Sequence, residues 1–295
     1  MTGALETLVA EPTADFALVD SGHGRKLERC GPYRFIRPEP QAMWAPASAG
    51  WPADGEFVGG SDEEGGGRWR LEPQVPAAWP IEQAGVKLHA QCTPFRHLGF
   101  FPDMAPHWAR LAALPAGSKV LNLFGYTGVA SLVAAKAGCE VVHVDASKKA
   151  IEQARANAQL SGLADRPIRW ITEDARKFTA REVRRGRRYD AILLDPPKFG
   201  RGPEGEVWDL PQHLPALLAD CTKLLDADSR FLILTTYAVR LSALALEGLL
   251  QPLAGHLPGR VQAGEMAIRE EGRGLLLPTA IFVRWEHGSV HRLDA

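Results

Sequence analysis

Along the last two-thirds of the chain, apolar residues fall in short, nearly unbroken runs. The runs alternate with longer stretches whose apolar positions recur at helical spacing. The strand-like runs are Lys119–Phe124, Glu140–Val144, Ile168–Thr172, Asp190–Leu194 and Arg230–Thr235. Between them lie helix-like stretches such as Lys148–Ser161 and Leu210–Leu225; in the first, Ile151, Ala154 and Ala158 share one face and charged residues take the other. Strand and helix in repeated alternation predict a mostly parallel sheet with helices on both sides. Two more β-like runs, Val261–Ala267 and Leu275–Trp285, follow closely and predict an antiparallel pair at the end of that sheet.

The first hundred residues read differently. They are rich in Gly, Pro and Trp and show short β-like runs at Phe16–Asp20, Tyr33–Arg37, Arg68–Glu72 and Val86–Cys92. GEFVGGSDEEGGG, from Gly55 to Gly67, is too polar and too glycine-rich for a core and predicts a loop. The expected organisation is a small β-rich domain over 1–100 followed by an α/β domain over 101–295.

Composition narrows the class without deciding it. Hydrophobic residues make up 45% and charged residues 23% of the 295 positions, as in ordinary globular proteins. With 34 Lys+Arg against 35 Asp+Glu, overall charge does not attract nucleic acid, so any such binding needs a local basic face. Two sets of cations qualify: Arg184, Arg185, Arg187 and Arg188, and the group Arg25, Lys26, Arg29, Arg34 and Arg37. Runs of like charge are commonly no more than solvated surface, and the first set precedes the fourth strand, at the far end of the sheet from strand-tip ligands. The second set is therefore the better expectation. Cys30, Cys92, Cys139 and Cys221 form no CxxC pair, which fits reduced thiols and neither a zinc site nor a disulfide framework. No leader-like segment and no long apolar span is evident, so a cytoplasmic protein is expected, without membrane or metal.

Four motifs fall at the carboxyl ends of successive strands, where open α/β sheets bind ligands. KVLNLF runs into GYTGVASLVAAKAG, so Gly125 and Gly128 bracket a tight strand-to-helix turn that a ligand can approach closely. The GK[ST] of a P-loop is missing, as is the GxGxxG that an NAD-dependent oxidoreductase would carry. Asp145 follows the second strand twenty residues after Gly125; it suits a ribose diol, or merely favours the next helix. Asp174 follows the third strand and suits an adenine amino group beside Ala175, or simply caps a helix. Asp195-Pro196-Pro197 follows the fourth. Two prolines stiffen the turn and leave carbonyls without neighbouring N–H groups, and Phe199 stands near enough to stack on a planar acceptor. A purely structural strand stop is the alternative.

In order and spacing these motifs resemble those of class I S-adenosylmethionine (SAM)-dependent methyltransferases. More narrowly, they resemble the ribosomal-RNA large-subunit methyltransferase family, which includes cytosine-C5 and guanine-N7 enzymes. HLGFFPD, from His97 to Asp103, is similar to the family's segment ahead of the first strand. The resemblance implies a Rossmann-like fold with a seven-stranded, mostly parallel sheet, SAM as cofactor, and an RNA substrate. It implies a cofactor site built from Phe101, Asp103, Asn122, Phe124, Gly125, Tyr126, Thr127, Gly128, Asp145, Ala146, Ser147, Asp174, Ala175 and Asp195. Asn122, Gly125, Tyr126 and Gly128 would face the methionine end, Asp145 the ribose and Asp174 the adenine. Asp195, the Pro196 and Pro197 carbonyls and Phe199 would orient the acceptor.

The chain departs from the cytosine-C5 members at one point. Those enzymes need a cysteine thiolate to attack the pyrimidine ring, placed just after the fifth strand. Here that stretch is LTTYAVRLS, and Cys221 lies upstream in a helix. Transfer to nitrogen or oxygen of an RNA base, most simply ribosomal RNA, is therefore expected, without a covalent intermediate. Trp208, in the loop after the double proline, suits either a base-stacking role or a core anchor. No segment matches the small RNA-binding module that many relatives carry. Protein or small-molecule methylation, and a SAM-binding assembly factor without catalysis, stand as alternatives.

Overall fold

The computed structural model describes residues 4–59, 67–94, 96–237 and 239–288. Of the loop expected over Gly55–Gly67, Gly55–Val58 form a strand instead, and most of the rest lies outside the described residues. The elements run β1 (Glu6–Ala10), β2 (Phe16–Gly22), β3 (Arg25–Cys30), β4 (Tyr33–Pro38), β5 (Gly55–Val58), β6 (Arg68–Leu71), β7 (Trp79–Gln83) and β8 (Val86–Ala90). They continue with α1 (Ala105–Ala112), β9 (Lys119–Leu123), α2 (Val129–Lys136), β10 (Glu140–Asp145), α3 (Lys148–Leu160), β11 (Ile168–Thr172), α4 (Ala175–Arg184) and β12 (Ala191–Leu194). The last are β13 (Phe199–Arg201), β14 (Val207–Asp209), α5 (Leu210–Lys223), β15 (Phe231–Tyr237), α6 (Ala243–Leu253), β16 (Arg260–Arg269) and β17 (Leu276–Glu286).

The chain divides into two compact units, one of residues 1–7, 107–265 and 280–295, the other of 8–106 and 266–279. The central sheet of the first has the order β1-β16-β17-β15-β12-β9-β10-β11. Strands β11, β10, β9, β12 and β15 pair in parallel, and β17 lies antiparallel to β15. This is the expected Rossmann-like sheet, with an eighth strand at its edge that the sequence pattern did not show. β1 is short and partly exposed, so it prints no alternation. Gly264 admits it: a Cβ there would fall 2.6 Å from the carbonyl carbon of Glu6.

β9 and β12 read as continuous apolar runs because they are buried on both faces. On one face, Leu121 and Leu123 join Val142, Val144, Ile192 and Leu194 in a core covered by Phe178 of α4 and the leucines of α5 and α6. Asn122, between the two leucines, points to the opposite face, where its amide reaches Ser131 of α2. Helices thus cover both faces. β9 pairs with β10 on one side and with β12 on the other. The chain reverses its direction of travel across the sheet there, and the strand tips open a crevice at that reversal.

In the other unit, β2-β3-β4-β5-β6 form one sheet and β7-β8 a hairpin. Phe35 packs between Trp69 and Trp79, edge-on to the first and stacked on the second. The basic set expected here as an RNA-binding face is largely consumed internally, which corrects that expectation. Arg37 donates two hydrogen bonds to the fully buried Glu28, at 2.6 and 2.9 Å, and Lys26 pairs with Glu28 and Glu39. Burial works to raise the Glu28 carboxyl, but the charges and hydrogen bonds of Arg37 and Lys26 hold it below its usual range. Arg29 is tied to the carbonyls of Thr13 and Ala14, and Arg25 pairs with Glu56.

Candidate functional site

Four strand tips of the first unit build the site. After β9 the backbone turns through Phe124 (φ 55°), Gly125 and Tyr126 (φ 49°) to Gly128 (φ 89°), which opens α2. Positive φ at two residues with side chains costs of order 1 kcal/mol or more each and persists only where the surroundings hold it. They are held here. Gly125 N–H donates to Val144 O (3.1 Å), Gly128 N–H to Gly125 O (3.0 Å), and the Asn157 amide to Thr127 O (2.9 Å). Gly125 sits against His143 and Gly128 against α3: a Cβ at Gly125 would lie 2.5 Å from His143 Nδ1, and one at Gly128 2.9 Å from Ala154 Cβ.

A buried polar chain supports the turn from below. The Asn122 amide donates to Ser131 Oγ (2.9 Å), which lies 2.9 Å from His143 Nδ1. The Asn122 side chain therefore faces the domain interior and steadies the turn. Ser131 and His143 were not anticipated as site residues; the signal was a polar residue at a buried position of EVVHVD. Burial pushes the His143 pKa down to about 3, and does the same to His107 and His97. Unfolded imidazoles protonate near pH 6.5, so between these limits the unfolded chain binds more protons and stability falls as pH falls. Stability from these histidines is complete above about pH 6.5. Calorimetry should show Tm dropping steadily from pH 7 to pH 5, with uptake of about three protons on unfolding at pH 5. A flat Tm over that interval would contradict the buried, neutral imidazoles.

Asp145 ends β10 facing this turn. Its carboxylate accepts from Tyr126 N–H and Ser147 N–H, both at 2.8 Å, which fixes its orientation. Burial raises its pKa, with the same two hydrogen bonds opposing the rise. Burial and Asp145 together push the Tyr126 phenol up to about 12. Ser147 caps α3 by accepting from Ala150 N–H, a contribution of about 1 kcal/mol, with Ala146 half-buried before it. Asp174 is the N-cap of α4: Oδ1 accepts from the N–H groups of Arg176 and Lys177, and Oδ2 from Arg176 Nη2 at 3.1 Å. Ala175 is buried behind it.

Asp195 follows β12, its N–H aimed at Leu123 O (3.4 Å), and Pro196 is buried. Phe199 opens a two-stranded ribbon, β13 with β14, and is 62% exposed. Trp208, on the ribbon's other side, is buried against Phe124 at 5.1 Å and donates to Pro197 O at 2.6 Å. Two expectations change as a result. Trp208 is a core anchor and does not present its ring to a base. The Pro197 carbonyl, expected to face the acceptor, is taken by Trp208. The ribbon is also strapped to the first turn of α4: Lys177 pairs with Glu204 (2.8 Å) and Glu206, and Arg176 donates to Val207 O (3.1 Å). The Lys177 hydrogen bond holds the Glu206 carboxyl near a pKa of about 2. Phe101 and Asp103 lie in the other unit, around the short 3-10 turn Pro102–Met104, where Phe101 packs on the His97 ring at 4.9 Å.

A cradle that any Cβ would fill, an acid fixed beside it and a proline-stiffened turn opposite define a nucleotide-like cofactor site next to an acceptor site. The family model described as "S-adenosylmethionine-dependent methyltransferase" matches residues 67–234, and the chain belongs to that family. It is an enzyme that uses SAM. Over nearly its whole length it is similar to a SAM-dependent methyltransferase of Agrobacterium tumefaciens: 47% identity, TM-score 0.89, covering 97% of this chain and 96% of that one. A putative SAM-dependent methyltransferase of Streptococcus mutans shares the fold at 14% identity, TM-score 0.69, over 92% of this chain and 76% of the other. Ribosomal RNA large subunit methyltransferase I of Aeromonas salmonicida is 37% identical over 120 residues, 40% of this chain. That match spans only 30% of the curated relative's length.

Proposed function

We propose that this enzyme methylates a nitrogen or oxygen of an RNA base, most simply in ribosomal RNA in the cytoplasm, without a covalent enzyme–RNA intermediate. One observation carries the reading: an exposed Phe199 stands four residues after Asp195 on a pinned ribbon, while Cys221 is fully buried with its thiol pKa pushed up. An exposed ring four residues after an aspartate at a strand tip suits an unstacked base, and a buried thiol makes no nucleophile. The partial match to a ribosomal-RNA methyltransferase supports the same substrate class.

On this reading residues 101–295 act as the catalytic domain and 1–100 as a β-rich accessory domain. Bound SAM supplies a methyl group activated on a sulfonium. Gly125, Tyr126 and Gly128 hold its methionine end, Asp145 takes the ribose, and Asp174 receives the adenine amino group on the oxygen that keeps acceptor capacity. Asp195 and the Pro196 carbonyl orient the acceptor atom for in-line attack while Phe199 stacks on the base. A carboxylate is a weak base, so Asp195 directs a lone pair and does not strip a proton. The enzyme's contribution is chiefly alignment in a dry cavity.

Mapping modified nucleotides in RNA from a deletion strain, followed by restoration with pure enzyme and SAM, tests the substrate. The expected result is one unmethylated nitrogen or oxygen. A complete RNA methylation profile would overturn it. RNA containing 5-fluoropyrimidines should give no adduct stable to denaturing electrophoresis; a stable adduct would refute the non-covalent mechanism.

A further inference from the structure

From Arg166 to Arg188 the chain carries nine Lys and Arg against three Asp and Glu, a net +6 within a protein whose total is −1. The three acids are already engaged. Glu173 binds Arg181, Asp174 binds Arg176, and the buried Glu182 is held by Arg185 and the Tyr189 hydroxyl. Arg166, Arg169, Arg184, Arg187 and Arg188 remain exposed, with no carboxylate partner shown among the described residues. β11, β10, β9 and β12 pair in parallel, so Arg166 and Arg169 at the start of β11 and Arg187 and Arg188 just before β12 lie at the same, amino-terminal end of the sheet.

Fold stability does not explain this concentration. Arg184 sits in the last turn of α4 and Arg185 caps it, where cations suit the helix dipole. Arg166, Arg169, Arg187 and Arg188 lie outside any helix. Like charges so close repel one another, an arrangement that suits an anionic partner. Guanidinium groups match phosphate oxygens two at a time.

We propose that this arginine surface grips the phosphodiester backbone of the RNA substrate, at a site separate from the methyl-transfer pocket. It rests on the RNA reading given above. α4, ten residues long, runs from Asp174 at the pocket to Arg184 at the patch, about 15 Å. At roughly 3.4 Å per step, four or five nucleotides of one strand bridge that distance. The surface thus holds the segment flanking the target and reads no base.

The test compares wild type with R166Q/R169Q/R187Q/R188Q in binding purified large-subunit ribosomal RNA across salt concentrations. The variant is expected to bind at least about tenfold more weakly at low salt, with the slope of log K on log salt reduced by about three. SAM affinity and Tm should be unchanged. R166K/R169K/R187K/R188K, which keeps the charge, should keep most of the slope. Wild-type affinity and slope in the glutamine variant would overturn the patch while leaving RNA methylation standing. Failure of the wild type both to bind and to methylate RNA would overturn both readings. If the variant lost binding to phosphatidylglycerol vesicles with RNA affinity intact, the surface would belong to a membrane and the proposal would fall.

Discussion

Asp195→Ala should reduce methyl transfer by about a hundredfold or more while SAM affinity stays within about fivefold. Asp195 follows the last paired residue of β12, with Leu123 and Leu234 flanking Leu194 in register. It precedes a proline, which narrows its own backbone freedom, and a second proline follows. The backbone therefore fixes where its side chain starts, and a misplacement of about 1 Å at such a position costs on the order of a hundredfold. Asp195→Asn keeps one acceptor oxygen and should retain more activity than the alanine variant. Single-turnover transfer from labelled SAM, with calorimetry of SAM binding on the same samples, separates the two effects. Equal loss of binding and turnover would place Asp195 with the cofactor alone.

Gly125→Ala should weaken SAM binding by about tenfold or more and lower Tm by several degrees. The added methyl group meets the buried His143 ring, whose Nδ1 is already committed to Ser131. Either the ring moves and breaks the Asn122–Ser131–His143 chain, or the turn lifts and Tyr126 N–H leaves Asp145. Overpacking of this kind costs about 1–3 kcal/mol, and a domain of this size loses about 2–4 °C per kcal/mol. Gly248→Ala is the control: it lies within α6, and a Cβ there meets nothing within 4 Å. That change should be neutral or stabilising by up to about 1 kcal/mol. Thermal unfolding and SAM titration of both variants decide; normal SAM affinity in Gly125→Ala would remove the turn from the cofactor site.

The parallel core was legible because strands buried on both faces print unbroken apolar runs, as in β9 and β12. β3 was missed for the opposite reason. RKLERC looks like a polar loop, yet its Lys26 and Glu28 are buried as partners of Glu39 and Arg37. β13 and β14 span three residues each, too few to show a period. At the site, glycines and acids at strand ends declared themselves because each must occupy a strand tip. The strap did not: Lys177 meets Glu204 across 27 residues of chain, and no spacing rule marks such a pair. Trp208 was ambiguous in principle, since a ring that stacks and a ring that anchors have the same letter.

That strap has a thermodynamic consequence. Arg176 Nη2 donates both to Asp174 Oδ2 and to Val207 O, and Trp208 next to Val207 holds Pro197 O. On the proposed reading, adenine arriving at Asp174 redistributes hydrogen bonds on the same guanidinium that steadies the ribbon. Linkage requires that whatever factor SAM adds to RNA affinity by this route, RNA returns to SAM affinity. If RNA is the acceptor, as proposed, the two substrates are heterotropic effectors of each other, joined through a single arginine.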